Sequence, residues 1–169
     1  RHPDVRVTYV AANNTTGALE DIWPNLRHRT ELVCEKFDVQ KATQMCDLVY
    51  LALPHTESMQ CAGMLIKAGK RVIDLSADYR LSKASVYKTW YGEEHKDPKL
   101  LSKAVHGLPE LFREKIKKAQ LIANPGCYPT AAILGLTPLV ALGREEIDSV
   151  IIDAKSGVSE KKKKTIPGL

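Results

Sequence analysis

Short apolar runs suited to extended backbone alternate along the chain with longer stretches whose apolar positions recur at helical spacing. Residues 5–12 alternate, are rich in β-branched side chains and run into the cluster Asn13-Asn14-Thr15-Thr16-Gly17, which predicts a strand and then a loop. Residues 47–53 form a nearly continuous apolar run that stops at Pro54, the pattern of a central parallel strand buried on both faces. Over 57–68, Met59, Ala62, Gly63, Leu65 and Ile66 sit at helix-compatible intervals, and Gly69 stands where a helix stop belongs. Residues 71–75 read as another strand, ending in the polar turn Ser76-Ala77-Asp78. Strand, helix and strand in so short a span make one βαβ unit.

Residues 81–105 are polar, carry Tyr87, Trp90 and Tyr91, and hold no period for long, so short helices and a surface excursion are expected. Beyond Leu108-Pro109-Glu110, a basic amphipathic helix over 111–118 leads into a short strand at 120–123, broken by Asn124-Pro125-Gly126. Cys127 therefore follows a strand end. Residues 130–142 predict a helix with a kink or restart at Pro138, closed by Gly143, and 147–154 predict one more strand. The succession points to an α/β fold with an open, mostly parallel sheet and ligands outside the carboxyl ends of its strands.

Composition narrows the class without changing it. A chain of 169 residues, 44% hydrophobic and 27% charged, is large enough for one substantial core, so one domain or one domain plus part of another is expected. No run approaches the roughly 20 apolar residues that span a bilayer, and Arg1-His2-Pro3-Asp4 lacks a secretory apolar region, so a cytoplasmic protein with no membrane partner is expected. Cys34, Cys46, Cys61 and Cys127 form no Cys-x-x-Cys pair and have no histidine at zinc-ligand spacing; neither a disulfide framework nor a metal site is expected. The net charge of +5 falls to +1 once Lys161-Lys162-Lys163-Lys164 are set aside. No aromatic side chains interleave those lysines to stack bases, so they read as a solvated segment and no nucleic-acid partner is expected.

One cysteine stands apart. A thiol between a strand end and a helix start meets unpaired backbone N–H groups and the positive end of the helix dipole, both of which favour thiolate. Gly126 permits close approach of a substrate, and the Asn124-Pro125-Gly126 turn holds the Cys127 sulfur toward the crevice where α/β sheets bind ligands. Cys34, Cys46 and Cys61 read as small core side chains.

The runs Asn124-Pro125-Gly126-Cys127-Tyr128-Pro129-Thr130, Asp74-Leu75-Ser76-Ala77-Asp78-Tyr79-Arg80-Leu81, Leu53-Pro54-His55, His106-Gly107-Leu108-Pro109-Glu110 and Lys155-Ser156-Gly157-Val158-Ser159 together resemble the N-acetyl-gamma-glutamyl-phosphate reductases of arginine biosynthesis. That family is in turn similar to aspartate-semialdehyde dehydrogenase. The resemblance implies a Rossmann-like NAD(P)-binding domain over 1–126 and the beginning of an α+β catalytic and dimerisation domain over 127–169. It implies NADP(H) as cofactor, a small-molecule acyl phosphate as substrate, inorganic phosphate as the released group and a homo-oligomer as the assembly. Cys127 would be the nucleophile, forming a thioester that accepts hydride. Pro54, His55, Ser76, Ser156 and Gly157 would lie along the cofactor, and Asn124, Arg80 and Glu110 along the substrate; locally, Arg80 and Glu110 read equally well as a salt-bridged surface pair.

The chain departs from the family at several points. The family's glycine-rich turn has no counterpart here, which would make the strand at Val5 the family's second. None of His2, His28, His55, His95 and His106 occupies the motif of the family's acid–base histidine, and His106 stands where tyrosine is usual. Asn13-Asn14-Thr15 has no arginine for a ribose phosphate, which leaves NADP against NAD open. An incomplete portion of the enzyme is therefore expected, inactive alone. The alternatives are a reductase of aspartyl or carrier-linked aminoadipyl phosphate, and a non-catalytic nucleotide-binding or assembly domain.

Overall fold

The computed structural model describes residues 2–143 and 147–155. In chain order its elements are β1 (Val10–Ala12), β2 (Gly17–Ala18), α1 (Leu19–Ile22), a 3-10 turn (Pro24–Leu26), β3 (Val33–Lys36), α2 (Val39–Met45), β4 (Leu48–Leu51), α3 (Ser58–Lys67), β5 (Arg71–Asp74), α4 (Ala84–Tyr91), α5 (Pro98–Leu101), β6 (Val105–His106), α6 (Pro109–Lys118), β7 (Leu121–Ala123) and α7 (Cys127–Leu142). The chain divides into two compact units, Arg1–Pro125 and Gly126–Leu169.

The first unit holds an all-parallel sheet in the order β4-β5-β7-β6 and a smaller sheet in the order β1-β3-β2. Parallel strands need crossovers, and α3 supplies the one between β4 and β5. Its inward face is Met59, Ala62 and Leu65, three residues apart and all buried. The helix stops where Gly69 takes φ +76°, letting Lys70 N–H reach Leu65 O at 3.0 Å and Gly69 N–H reach Ile66 O at 2.9 Å. Beneath α3 lie Leu51, Val72 and Leu121, with Tyr79, Tyr87 and Leu101 closing the same cluster. Each fully buried aliphatic side chain contributes about 1.5–3 kcal/mol.

The two sheets end on facing edges. β1 pairs with β3 alone and β4 with β5 alone. Between them lies a cleft of about 130 Å³ lined by Ala11, Ala12, Asn13, Phe37 and residues 49–53. The Asn13 amide donates to Glu57 at 3.1 Å, joining the end of β1 to the entry of α3.

The mostly parallel α/β architecture matches the sequence reading, and the departures are local. The run 47–53, expected as a central strand buried on both faces, forms β4 at the edge of its sheet with Tyr50 61% exposed, because only β5 pairs with it. The strand expected over 5–12 shrinks to Val10–Ala12, because β3 offers ladder partners only through Cys34, Glu35 and Lys36. The strand expected over 147–154 is absent: 147–155 carry no ladder, and Ile151 is 92% exposed. A strand needs a neighbour for its backbone groups, and the described part of the second unit supplies a helix only. In that unit, α7 runs unbroken through Pro138 and has no buried residue along its length.

Candidate functional site

All four strands of the parallel sheet run the same way, so their carboxyl ends share one edge. The ladder places Leu51 opposite Asp74, Asp74 opposite Ala123 and Ala123 opposite His106, one row across the sheet. Beyond this row the chain leaves each strand in one of the motifs singled out above: Leu53-Pro54-His55, Ser76-Ala77-Asp78, Asn124-Pro125 and Gly107-Leu108-Pro109-Glu110. Backbone bonds continue past the last ladder pairs. Leu75 N–H donates to Leu51 O at 2.9 Å, Asn124 N–H to Asp74 O at 2.8 Å and Gly107 N–H to Ala123 O at 2.8 Å.

The turn after β5 is built on two buried carboxylates. Asp74 accepts from the Ser76 N–H at 3.1 Å and the Ser76 hydroxyl at 2.8 Å, and Ser76 Oγ accepts in turn from Asp78 N–H at 3.0 Å. Burial pushes the Asp74 carboxyl up from its ordinary value, opposed by the hydroxyls of Ser58 and Ser76. Asp78 accepts from Thr56 N–H at 2.8 Å, Met59 N–H at 3.0 Å and the Tyr87 hydroxyl at 2.9 Å. Sequence reasoning missed Asp78; the signal was a second aspartate four residues after Asp74 in a strand-to-turn run. Ser76, expected along the cofactor, is 2% exposed and spends its side chain on the two aspartates.

His55 and Pro54 are exposed at the edge. His55 Nδ1 accepts the Ala77 N–H at 3.0 Å, which leaves the ring proton on Nε2. The His55 ring lies 5.8 Å from that of Tyr91.

Arg80 bridges two strand ends: Nε donates to Asn124 O at 2.9 Å and Nη2 to Leu75 O at 2.8 Å. Among the described residues its guanidinium makes no ion pair with Glu110, which is exposed in the first turn of α6. The structure thus brings Arg80 and Asn124 together and shows no salt-bridged pair of Arg80 with Glu110 among the described residues. His106 closes the row. Its Nε2 is buried without a hydrogen-bond partner among the described residues, and burial together with the positive charge of Arg80 holds its imidazole below the ordinary value. Gly107 leaves room there: a Cβ would meet Asn124 Cα at 3.1 Å and Ala123 O at 3.2 Å, tighter than an ordinary contact.

In the second unit Cys127 is exposed and is the first residue of α7, with Gly126 as its cap at φ −70°, ψ 163°. The first helical bond runs from Thr130 N–H to Gly126 O at 3.0 Å, and the Thr130 hydroxyl adds 2.9 Å to the same oxygen. The N–H groups of Cys127 and Tyr128 accordingly have no acceptor within the helix. Cys34 is buried, Cys46 and Cys61 are half-buried, and all four thiols are free. Ser156 and Gly157 lie outside the described residues. Among the described residues no three His, Cys, Asp or Glu side chains cluster as a metal site, and no helix is long and apolar enough to cross a membrane. Clefts of about 730 and 820 Å³ lie along the 2–7 segment and the 26–32 loop, and none of the candidate residues lines them.

The family model for the semialdehyde dehydrogenase NAD binding domain matches residues 1–119, and that for the semialdehyde dehydrogenase dimerisation domain matches residues 127–167. Over 159 residues the sequence is 49% identical to the N-acetyl-gamma-glutamyl-phosphate reductase of Desulfotalea psychrophila, a match covering 94% of this chain and 46% of that protein. The reductase of the same name from Acetivibrio thermocellus is 44% identical over 165 residues, covering 97% of this chain and 48% of its own. The chain thus spans about half the length of the curated relatives it matches. Among solved structures, aspartate semialdehyde dehydrogenase with NADP from Candida albicans superposes with a TM-score of 0.56 at 16% identity, over 83% of this chain and 40% of that one, a likeness of fold.

Proposed function

The chain belongs to the semialdehyde dehydrogenase family, and from that membership we propose that it is the cofactor-binding and thiol-bearing portion of an N-acetyl-gamma-glutamyl-phosphate reductase. The observation that carries this reading is the gathering of four separate motifs on the carboxyl edge of one parallel sheet. An exposed thiol, Cys127, follows three residues after Asn124 at the start of a helix. Substrate, cofactor and released phosphate belong to the same proposal.

NADPH, when bound, supplies hydride. The edge suits a dinucleotide because it combines exposed Pro54 with an exposed His55 whose Nε2–H remains free to donate once Nδ1 is engaged by Ala77. Ser76 supports that edge from beneath through Asp74 and Asp78. Cys127 attacks the acyl carbon of the acyl phosphate as thiolate; the carbon–oxygen bond to phosphate breaks and inorganic phosphate leaves with the electron pair. Cys127 would hold the acyl group as a thioester until it is reduced, and its sulfur would leave with the electron pair as the semialdehyde is released. A thioester accepts hydride more readily than an oxygen ester, which is why sulfur serves here. Asn124 and Arg80 order the backbone before the thiol, and Glu110, Ser156 and Gly157 are assigned to substrate and cofactor by resemblance alone.

The second unit belongs with assembly. An apolar helix with no buried residue along its length calls for a cover, and a second copy of the chain supplies one in a dimer. The deciding experiment is phosphate-dependent reduction of NADP by N-acetylglutamate semialdehyde in the full-length protein, run beside aspartate semialdehyde, with and without Cys127→Ser. Loss of about 10⁴-fold or more in the variant is expected; a variant that kept its activity would rule out the thioester route, and preference for aspartate semialdehyde would reassign the substrate.

A further inference from the structure

We propose that Asp78 is a positioning residue for the cofactor: held by Tyr87 and His95, it clamps the 54–58 turn, with Thr56 in the left-handed region, and so aims His55 at the ligand. The inference rests on the cofactor reading above and adds a residue to it.

Thr56 has φ +73°. A β-branched residue is strained in such backbone and keeps it only where the surroundings over-determine it. Asp78 does so. Its carboxylate is fully buried and binds the N–H groups of Thr56 and Met59, one on each side of the α3 entry. The helix has no side-chain cap of its own, because Glu57 makes none. Asp78 therefore caps α3 from the neighbouring strand's turn, where a negative charge also suits the helix dipole. Ala77 N–H fixes His55 Nδ1 from the same turn, so the 55–56 peptide is held on both sides by residues 77 and 78.

Asp78 is held in its turn by the 81–97 excursion. The Tyr87 hydroxyl donates to Oδ1, and His95 Nε2 meets the Asp78 carbonyl at 2.9 Å while its Nδ1 accepts from Asp97 N–H at 3.1 Å. That last bond assigns the His95 proton to Nε2, so His95 donates to Asp78. Burial and the Asp78 charge push the Tyr87 phenol up, which keeps it protonated as a donor. Rings continue the connection: Tyr79 and His95 at 5.2 Å, His95 and Tyr87 at 5.1 Å, Tyr87 stacked on Tyr91 at 4.8 Å, and Tyr91 beside His55. The polar segment expected to be a surface excursion with short helices braces the turn.

Tyr87→Phe and Asp78→Asn test the proposal in the purified full-length protein through amide exchange and NADPH titration. Tyr87→Phe keeps the ring packing and removes one hydrogen bond to a carboxylate, so NADPH affinity is expected to weaken about tenfold. Exchange at Thr56 and Met59 should quicken by a similar factor, with Val72 and Ile122 unchanged. In the active enzyme the effect should fall on the KM for NADPH and leave kcat nearly intact. Unchanged exchange at Thr56 and Met59 in both variants would overturn the clamp. Faster exchange with unchanged NADPH affinity would overturn its positioning role. Failure of the unsubstituted protein to bind NADPH would overturn the cofactor reading itself, a result separate from either.

Discussion

Arg80 reaches across the sheet to Asn124: its Nε donates to the Asn124 carbonyl at 2.9 Å while Nη2 holds Leu75 O at 2.8 Å. A charged fork thus ties the end of β5 to the end of β7, immediately before the run that leads to Cys127. Arg80→Ala is expected to destabilise the first unit by about 2 kcal/mol, since two carbonyls lose a charged donor. Arg80→Lys should recover less than half of this, because one ammonium cannot reproduce the planar fork. Urea unfolding of the three proteins decides it; equal midpoints would mean that water replaces the guanidinium without cost.

Cys127 should be the fastest of the four cysteines to alkylate. It is exposed, whereas Cys34 is 1% exposed and Cys61 is half-buried with its thiol pushed up by burial and by Glu57. Mass spectrometry after brief iodoacetamide treatment should place the first adduct on residue 127, and Cys127→Ser should remove the rapid phase. First labelling at Cys46 or Cys61 would contradict the assignment.

Gly107→Ala should disturb the Asn124 end of β7. The added Cβ would lie 3.1 Å from Asn124 Cα and 3.2 Å from both Ala123 O and Ile122 Cγ2, and two of these are backbone atoms that cannot swing aside. A cost of about 1–3 kcal/mol is expected, with amide shifts at Ala123 and Asn124 in NMR spectra. An unperturbed spectrum would show that β6 moves away freely.

His106 imposes a pH dependence whose sign follows from its lowered value. As pH falls through the ordinary 6.5 of the free side chain, the unfolded chain takes up a proton that the folded imidazole refuses beside Arg80. Its contribution to stability is therefore present above that point and is lost as pH drops toward the folded value. His106→Gln should flatten this part of the curve of unfolding midpoint against pH. Parallel curves for the two proteins would assign the slope to other groups.

The motifs of the candidate site were legible because they coincide with strand ends, which apolar runs and breakers mark. Pro54 after 47–53 and Asn124-Pro125-Gly126 after 120–123 both stop a strand where the structure stops it, within a residue or two. β3 and α2 escaped notice for a physical reason. Val33–Lys36 ends in two charged residues at half-exposed or exposed positions, and α2 buries only Ala42, so neither presents a periodic apolar face. The opposite error fell at 147–154, where an apolar run has the composition of a strand but no ladder partner among the described residues.

The residues themselves determined the α/β class, the placing of the βαβ unit and the place of Cys127 between a strand end and a helix start, because apolar period, breakers and strand-to-helix junctions are local properties. Tertiary structure alone decided that Leu51, Asp74, Ala123 and His106 form one row, since register depends on which strands pair. It also decided that Arg80 serves two carbonyls and, among the described residues, makes no ion pair with Glu110, and that Asp78, read in sequence as part of a turn, holds the entry of a helix 19 residues earlier. A buried carboxylate takes its partners from whatever donors the packing leaves unpaired, and those donors come from segments distant in the chain.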